Sequence, residues 1–165
     1  MKFITQYEVA RDESITRIRK FDQYLSKWAA NQRLIVASFY FWAAGSFFDT
    51  THRGLYQSLL YQIFRQCPDL ISRATPNLWE VLCLLNKPPP DALTEEELRL
   101  ILMDVVEVAK LDHKICFFID GLDEFDGKPE DLLGLLQNLL RFPNIKLCVE
   151  SHLEGSSFCA HVFLR

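Results

Sequence analysis

The sequence predicts an α/β domain in which a parallel sheet forms the middle of three layers and helices cover both faces. Three runs are largely apolar and of strand length: Leu34 to Trp42, Lys114 to Asp120 and Ile145 to Glu150. Continuous apolar runs of this kind are typical of strands buried on both faces. Helical periodicity fills the intervals between the runs, so the strands should be parallel and joined by right-handed crossovers.

The helices of the first half follow from the spacing of apolar residues and from proline positions. An amphipathic pattern predicts one helix from Asp12 to Trp28 and a second from Gly54 to Gln66, which Pro68 ends,. A short helix is expected around Leu78 to Leu85. The triplet Pro88 to Pro90 is interpreted as a rigid connector.

The helices of the second half carry clearer start signals. Thr94 with Glu97 three residues later forms a capping box, which predicts the start of a helix,. Pro129 suits the first position of another helix, and Glu130 and Asp131 suit its positive end.

Composition limits the kinds of partner and compartment. The formal charge of −4 argues against nucleic acid as the main partner,. The five cysteines are odd in number and widely spaced, which predicts buried free thiols in a reducing, cytoplasmic compartment rather than a disulfide framework. The longest apolar run is too short to span a membrane, and the histidines show no zinc-ligand spacing.

The most informative segment is the acidic turn after the second predicted strand. Asp120 ends that strand, and Asp123 and Glu124 follow within one turn. In open α/β sheets, ligands bind at the carboxyl ends of the strands, so Asp120 could bind a phosphate-linked Mg²⁺ while Asp123 or Glu124 orients an attacking water. An ordinary Asp-Gly turn with acids collected before a helix start explains the same residues without a site.

Several ordered motifs resemble fungal NACHT-type STAND NTPases, a family also described as having a nephrocystin-3-like N-terminal domain. These motifs are Phe41-Trp42, Gly54 to Ile63 with Cys67-Pro68, Lys114 to Glu124, and Asn144 to Val149. The resemblance implies a partial P-loop NTPase fold over residues 1–151 and a divergent tail over 152–165. It also implies that the chain begins just after the phosphate-binding loop.

What the resemblance implies about activity is a nucleotide-driven switch in signal transduction. Asp120 looks like the magnesium-site acid of a Walker B strand, and Asp123 and Glu124 look like its hydrolytic acids. Mg²⁺ and ATP or GTP are the implied cofactors, although two departures from the family put their binding in doubt. No Gly-x-x-x-x-Gly-Lys-Ser/Thr pattern occurs, and Glu150 to Leu153 stands where the family has Ser-Ser-Arg-Pro,.

Three functions remain open at this level. The chain could be part of an active NTPase whose loop is supplied elsewhere, a non-enzymatic interaction or regulatory module, or a truncated gene fragment. The family's strand order leaves the outer edge of Ile145 to Glu150 unpaired. We therefore expect self-association at that edge, or pairing with other STAND domains, unless Phe158 to Leu164 covers it.

Overall fold

The computed structural model describes residues 24–85 and 93–149, with the backbone alone for 81–85. It contains a three-stranded parallel sheet whose spatial order follows the chain. The strands are β1 (Arg33–Tyr40), β2 (His113–Asp120) and β3 (Ile145–Val149). The predicted fold class and the three parallel neighbours are confirmed. The first strand ends two residues earlier than predicted, because Phe41 and Trp42 already belong to the turn that follows it.

Besides a helical segment at residues 24–29, five α-helices surround the sheet in the described residues. They are α1 (His52–Gln66), α2 (Asp69–Ala74), α3 (Pro76–Leu85), α4 (Glu95–Ala109) and α5 (Pro129–Leu140). The capping box of Thr94 and Glu97 begins α4 as predicted, and Pro129 lies in the first turn of α5. Single turns of 3₁₀-helix follow the first two strands, at Phe47–Thr50 and Leu122–Glu124.

Two helix boundaries differ from the sequence prediction for local reasons. Helix α1 begins at His52 rather than Gly54, because Thr51 caps it by accepting a hydrogen bond from the Gly54 amide,. Helix α2 was not predicted. Its start directly follows Pro68, which itself has helical backbone angles, so the proline ends one helix and leads into the next,.

The main core lies on one face of the sheet. Alternate strand residues face helices α1, α4 and α5, which contribute leucine, isoleucine and valine side chains to one continuous cluster. The fully buried members of the strands include Ile35, Ile115, Phe117 and Leu147. Burying an aliphatic or aromatic side chain of this size stabilises a fold by roughly 1.5–3 kcal/mol. Most of the buried hydrophobic residues that the structure describes belong to this cluster.

The opposite face is covered in part by a helical segment over residues 24–29. Leu25 and Ala29 are buried but lie outside the main cluster, and the Trp28 ring sits 5.2 Å from the ammonium groups of both Lys114 and Lys146. These lysines alternate with the core-facing residues of β2 and β3, which places Trp28 on the second face,. Helical structure therefore contacts both faces, as predicted.

The outer edge of β1 is closed by two glutamine side chains of α1. Gln66 donates to Val36 O at 2.7 Å and accepts from Val36 N, while Gln62 donates to Ser38 O at 2.7 Å and accepts from Ser38 N. Each carboxamide thus replaces the peptide group of a neighbouring strand. The spacings match, because four helical residues rise about 6 Å and two strand residues about 6.6 Å.

Several predicted segments lie outside the described residues. These are the greater part of the Asp12 to Trp28 helix, the connector Pro88 to Pro90, Glu150 to Leu153 and the tail that contains Phe158 to Leu164. Within the described ranges, no helix combines the length and apolarity that crossing a bilayer requires.

Removing one edge-closing glutamine should weaken the fold, whereas removing an exposed glutamine of the same helix should not. We expect Gln66→Ala to lower the free energy of unfolding by about 1–3 kcal/mol, because both polar groups of Val36 lose partners at a part-buried edge,. Gln57→Ala is the matched control, since Gln57 is exposed. Urea unfolding of the three proteins measures the difference, and equal stability of both variants would contradict the proposed role of Gln66.

Candidate functional site

The candidate site lies where β1 and β2 end side by side. Tyr40 and Asp120 are register partners, and the ladder continues for one further bond from Phe41 N to Asp120 O at 2.9 Å. The turns that follow the two strands are therefore held against each other. This arrangement places Asp120 and Glu124 beside the loop that leaves β1.

Asp120 is half-buried at the end of the central strand. Its carboxylate accepts a hydrogen bond from the Gly121 amide at 2.7 Å, which fixes the side chain over the turn. Such an oriented carboxylate at a strand end fits a single ligand to Mg²⁺, an ion that takes one or two carboxylates together with phosphate oxygens and water. Within residues 24–85 and 93–149, no three His, Cys, Asp or Glu side chains converge as a metal-binding group.

The two other predicted acids occupy different positions in the 3₁₀ turn. Asp123 is exposed, while Glu124 is half-buried and its carboxylate accepts a hydrogen bond from the backbone amide of Ala43. Glu124 thereby ties the turn after β2 to the loop after β1. A carboxylate engaged in this way acts as a structural tether through one oxygen, and its other lone pairs can still accept hydrogen bonds,.

Gly121 makes the sharp turn after β2 possible. Its φ of 71° lies in the left-handed region, and a Cβ atom there would stand 2.6 Å from Phe41 O. Both constraints select glycine, the first through conformation and the second through contact with the backbone of the turn that follows β1,. The Asp-Gly pair therefore fixes how closely the two strand ends approach.

His52 is the residue of this region whose position the sequence did not reveal. Its ring stacks on Tyr56 at a centroid distance of 5.8 Å and lies 4.4 Å from the Phe125 ring. It therefore joins the start of α1 to the turn after β2, and the bond from Asp126 N to Thr50 O supports the same junction. Spacing rules for metal ligands gave no signal here, whereas Thr51 as a helix cap would have placed His52 in the first turn.

The environment of His52 favours its neutral form. Its Nε2 atom is buried and finds no hydrogen-bond partner among the described residues, and Nδ1 is 3.9 Å from a Glu95 carboxylate oxygen. Burial lowers the pKa of His52 below 6.5, and the charges of Glu95 and Asp131 oppose that effect,. Protonating His52 in the folded state therefore costs more than protonating it in the unfolded chain.

Two glycine substitutions should shift stability in opposite directions. Gly121→Ala should lower the free energy of unfolding by at least about 1–2 kcal/mol, the cost of a left-handed conformation, with the contact to Phe41 O adding to it,. Gly134→Ala is the control, because Gly134 lies within α5 with open space around its Cβ position, and it should gain about 0.5–1 kcal/mol,. Thermal or urea unfolding measures both changes in the free energy of unfolding. A Gly121→Ala protein as stable as the natural one would show that the turn is not constrained.

His52 should make the fold less stable in acid. Because its folded pKa is lowered, the unfolded chain binds more protons, so stability is full above about pH 6.5 and is lost as the pH falls through the folded pKa,. The added slope of the unfolding free energy reaches at most about 1.4 kcal/mol per pH unit, the value for one proton. His52→Phe keeps the aromatic contacts and removes the titration. If the unfolding free energies of the two proteins change with pH in the same way between pH 7.5 and 5, His52 does not destabilise the fold in acid.

Comparison with known proteins identifies the family of this chain. A family model described as Nephrocystin 3, N-terminal matches residues 18–152, which include the whole sheet and every candidate site residue. Searches of curated proteins and of solved structures gave no match. The match covers well over half of the 165 residues, and the chain belongs to the nephrocystin-3 N-terminal family.

Proposed function

We propose that this chain is the nucleotide-binding switch domain of a NACHT-type STAND NTPase, and that as given it does not hydrolyse nucleotide. The observation that carries the proposal is the position of Asp120, an oriented carboxylate at the carboxyl end of the central parallel strand,. Family membership and the Asp-Gly-Leu-Asp-Glu sequence of the turn support it.

In this proposal each acid has a separate role. Asp120 contributes one oxygen ligand to a Mg²⁺ ion that is bound to ATP or GTP. The ion would offset phosphate charge, which is the chemistry a metal supplies in phosphoryl transfer. Asp123 and Glu124 are the acids available to position water, and Glu124 would do so while one of its oxygens accepts a hydrogen bond from the Ala43 amide,.

The sequence supports weak binding and negligible turnover for the chain as given. Phosphoryl transfer depends mainly on positioning and charge stabilisation, and most of both comes from a glycine-rich loop, its lysine and a Mg²⁺-binding hydroxyl. The sequence contains no Gly-x-x-x-x-Gly-Lys-Ser/Thr loop,. Carboxylates alone repel a triphosphate.

A non-enzymatic interaction or regulatory module is the second candidate, and the Glu124 contact favours it. Glu124 already holds the loop after β1, so the turn after β2 connects the ends of two strands. The proposal also includes a cytoplasmic location, supported by the unpaired cysteine pattern, and no nucleic-acid partner, supported by the acidic net charge,.

The chain alone should release no phosphate from ATP or GTP above background. The test measures phosphate release and nucleotide affinity for the chain and for a version extended by a glycine-rich loop and its strand. Each protein is also measured as Asp123→Asn and Glu124→Gln. We expect binding and turnover in the extended protein alone, and loss of turnover in its acid variants. Turnover by the unextended chain that disappears in those variants would make it a self-sufficient NTPase.

We further propose that the outer edge of β3 is the surface through which the chain self-associates. Asn144 O accepts a hydrogen bond from Ile115 N of β2, and the backbone groups of successive residues point to opposite edges of a strand,. The N–H groups of Leu147 and Val149 therefore face away from β2. Backbone groups at an open strand edge pair readily with another strand.

Hydrogen exchange at two concentrations tests the proposed edge. Protection of the Leu147 amide should rise with protein concentration, together with the mass measured by light scattering. The Val36 amide is the internal control, since Gln66 already occupies it, and its protection should stay constant. A monomeric mass with unchanged Leu147 protection would rule out association through β3.

A further inference from the structure

The loop that follows β1 exposes three large aromatic side chains close together in the sequence. Residues 42–48 are all exposed, and they include Trp42, Phe47 and Phe48 at 47, 72 and 50% of their full accessible surface. The rings of Phe47 and Phe48 meet edge to face at a centroid distance of 6.3 Å. We call residues 41–50 the aromatic loop. Apolar side chains that are exposed singly are ordinary, whereas neighbouring ones mark interaction sites on soluble proteins.

The exposure is specific to these positions, because the same loop buries its first residue. Phe41 is 3% exposed, and its ring centroid lies 4.9 Å from that of Phe39 and 5.4 Å from that of Phe125. The three exposed aromatic residues do not belong to the core cluster. The core at this end of the sheet is therefore formed without them.

Hydrogen bonds fix the backbone of the aromatic loop. Trp42 N donates to Asp49 O at 3.0 Å, and the Asp49 carboxylate accepts from the amide and the hydroxyl of Ser46 at 2.7 and 2.9 Å. Helix α1 packs directly against the loop, since a Cβ atom on Gly54 would stand 1.7 Å from Phe48 O. A surface that is ordered before binding loses little conformational entropy on association. The loop therefore presents its rings on a preformed scaffold.

The acidic turn after β2 lies alongside the aromatic loop. Besides the Glu124 contact, Asp126 N donates a hydrogen bond to Thr50 O at 2.9 Å. Together, residues 41–53 and 120–131 contain seven acids and two bases, a formal net charge of −5. The whole chain carries −4, so the other residues sum to +1. The excess negative charge of the chain is thus carried by the two segments that meet beside the exposed rings.

We propose that the aromatic loop is a docking surface for a protein segment that carries lysine or arginine side chains around an apolar face. The rings supply the apolar contact, and the acids beside them attract the basic side chains and set the orientation of the segment. Nucleic acids and anionic membranes carry negative charge, which this end of the chain repels. The inference does not depend on nucleotide binding, and its tests use the chain without nucleotide or Mg²⁺.

Two labelled helical peptides test the chemistry of the partner. Both have the same leucine face, while the polar face is lysine in one peptide and glutamate in the other. Fluorescence anisotropy with the full chain should show saturable binding of the lysine peptide, weaker at higher salt, and no binding of the glutamate peptide. Failure of the lysine peptide to bind, or equal binding of the two peptides, would overturn the proposal.

Exchange of single aromatic residues locates the binding surface. Phe47→Ser should weaken binding of the lysine peptide about tenfold or more, as the loss of an interface hot-spot residue does. Tyr61→Ser is the matched control, because Tyr61 is 64% exposed on α1, about 13 Å along that helix from its start,. Thermal unfolding checks that both variants are folded. Unchanged affinity in Phe47→Ser, or an equal loss in both variants, would show that the aromatic loop is not the docking surface.

A second pair of variants tests the acids beside the rings. Asp126→Asn should weaken binding of the lysine peptide by up to about fivefold at low salt, the range for one exposed ion pair. Asp104→Asn is the control, since Asp104 is exposed on α4 and lies outside the two acidic segments. Equal affinities of these two variants would contradict the role given to the acidic turn.

Two further measurements distinguish other occupants of the same surface. Light scattering and sedimentation with phosphatidylserine vesicles should each give the same result for the natural chain and for Phe47→Ser. A higher mass that Phe47→Ser abolishes would assign the aromatic loop to a contact between two copies of the chain. Vesicle binding that the same variant abolishes would assign it to a membrane. Either result would overturn the proposal.

Discussion

The parallel register between β1 and β2 is the constraint on which the rest of the structure depends. Eight consecutive residue pairs match Arg33 to His113 at one end and Tyr40 to Asp120 at the other. Because side chains alternate along a strand, a slip of one residue would turn the core-facing set toward the second face. The same slip would separate Asp120 from Phe41 and would remove the contact between the two turns. Core formation and site geometry are thus fixed together.

The sequence predicted those features that depend on local chemistry. Apolar runs located the strands, and the Thr94 capping box and Pro129 located two helix starts, because each signal acts within a few residues. Boundaries set by tertiary contacts were missed. The contacts that hold these elements together were missed as well, such as the bond from Phe41 N to Asp120 O at the end of β1, which no local pattern records. The resemblance to the nephrocystin-3 N-terminal family was confirmed, while the NACHT-type STAND assignment and the roles of Asp120, Asp123 and Glu124 remain predictions.

The candidate site was predictable in its location but not in its contacts. An acidic turn after a buried strand points to the carboxyl end of the sheet. The sequence could not show that Glu124 reaches the Ala43 amide, since these residues are 81 positions apart. It also could not show that His52 packs against Phe125, because that contact joins a helix start to a turn far along the chain. Long-range contacts of this kind give the region its stiffness.

The glutamine closure of β1 limits how many chains can join through their sheets. A sheet with two open edges can add partners without end, as in a fibril. Here Gln62 and Gln66 already satisfy backbone groups of the first strand, so in the proposed association the described sheet would add new strands on the β3 side. Two chains that meet through that side would be related by a twofold axis and would present glutamine-closed edges at both ends of a six-stranded sheet,. No further strand could then be added at either end, so the glutamines of one helix would limit this assembly to two chains.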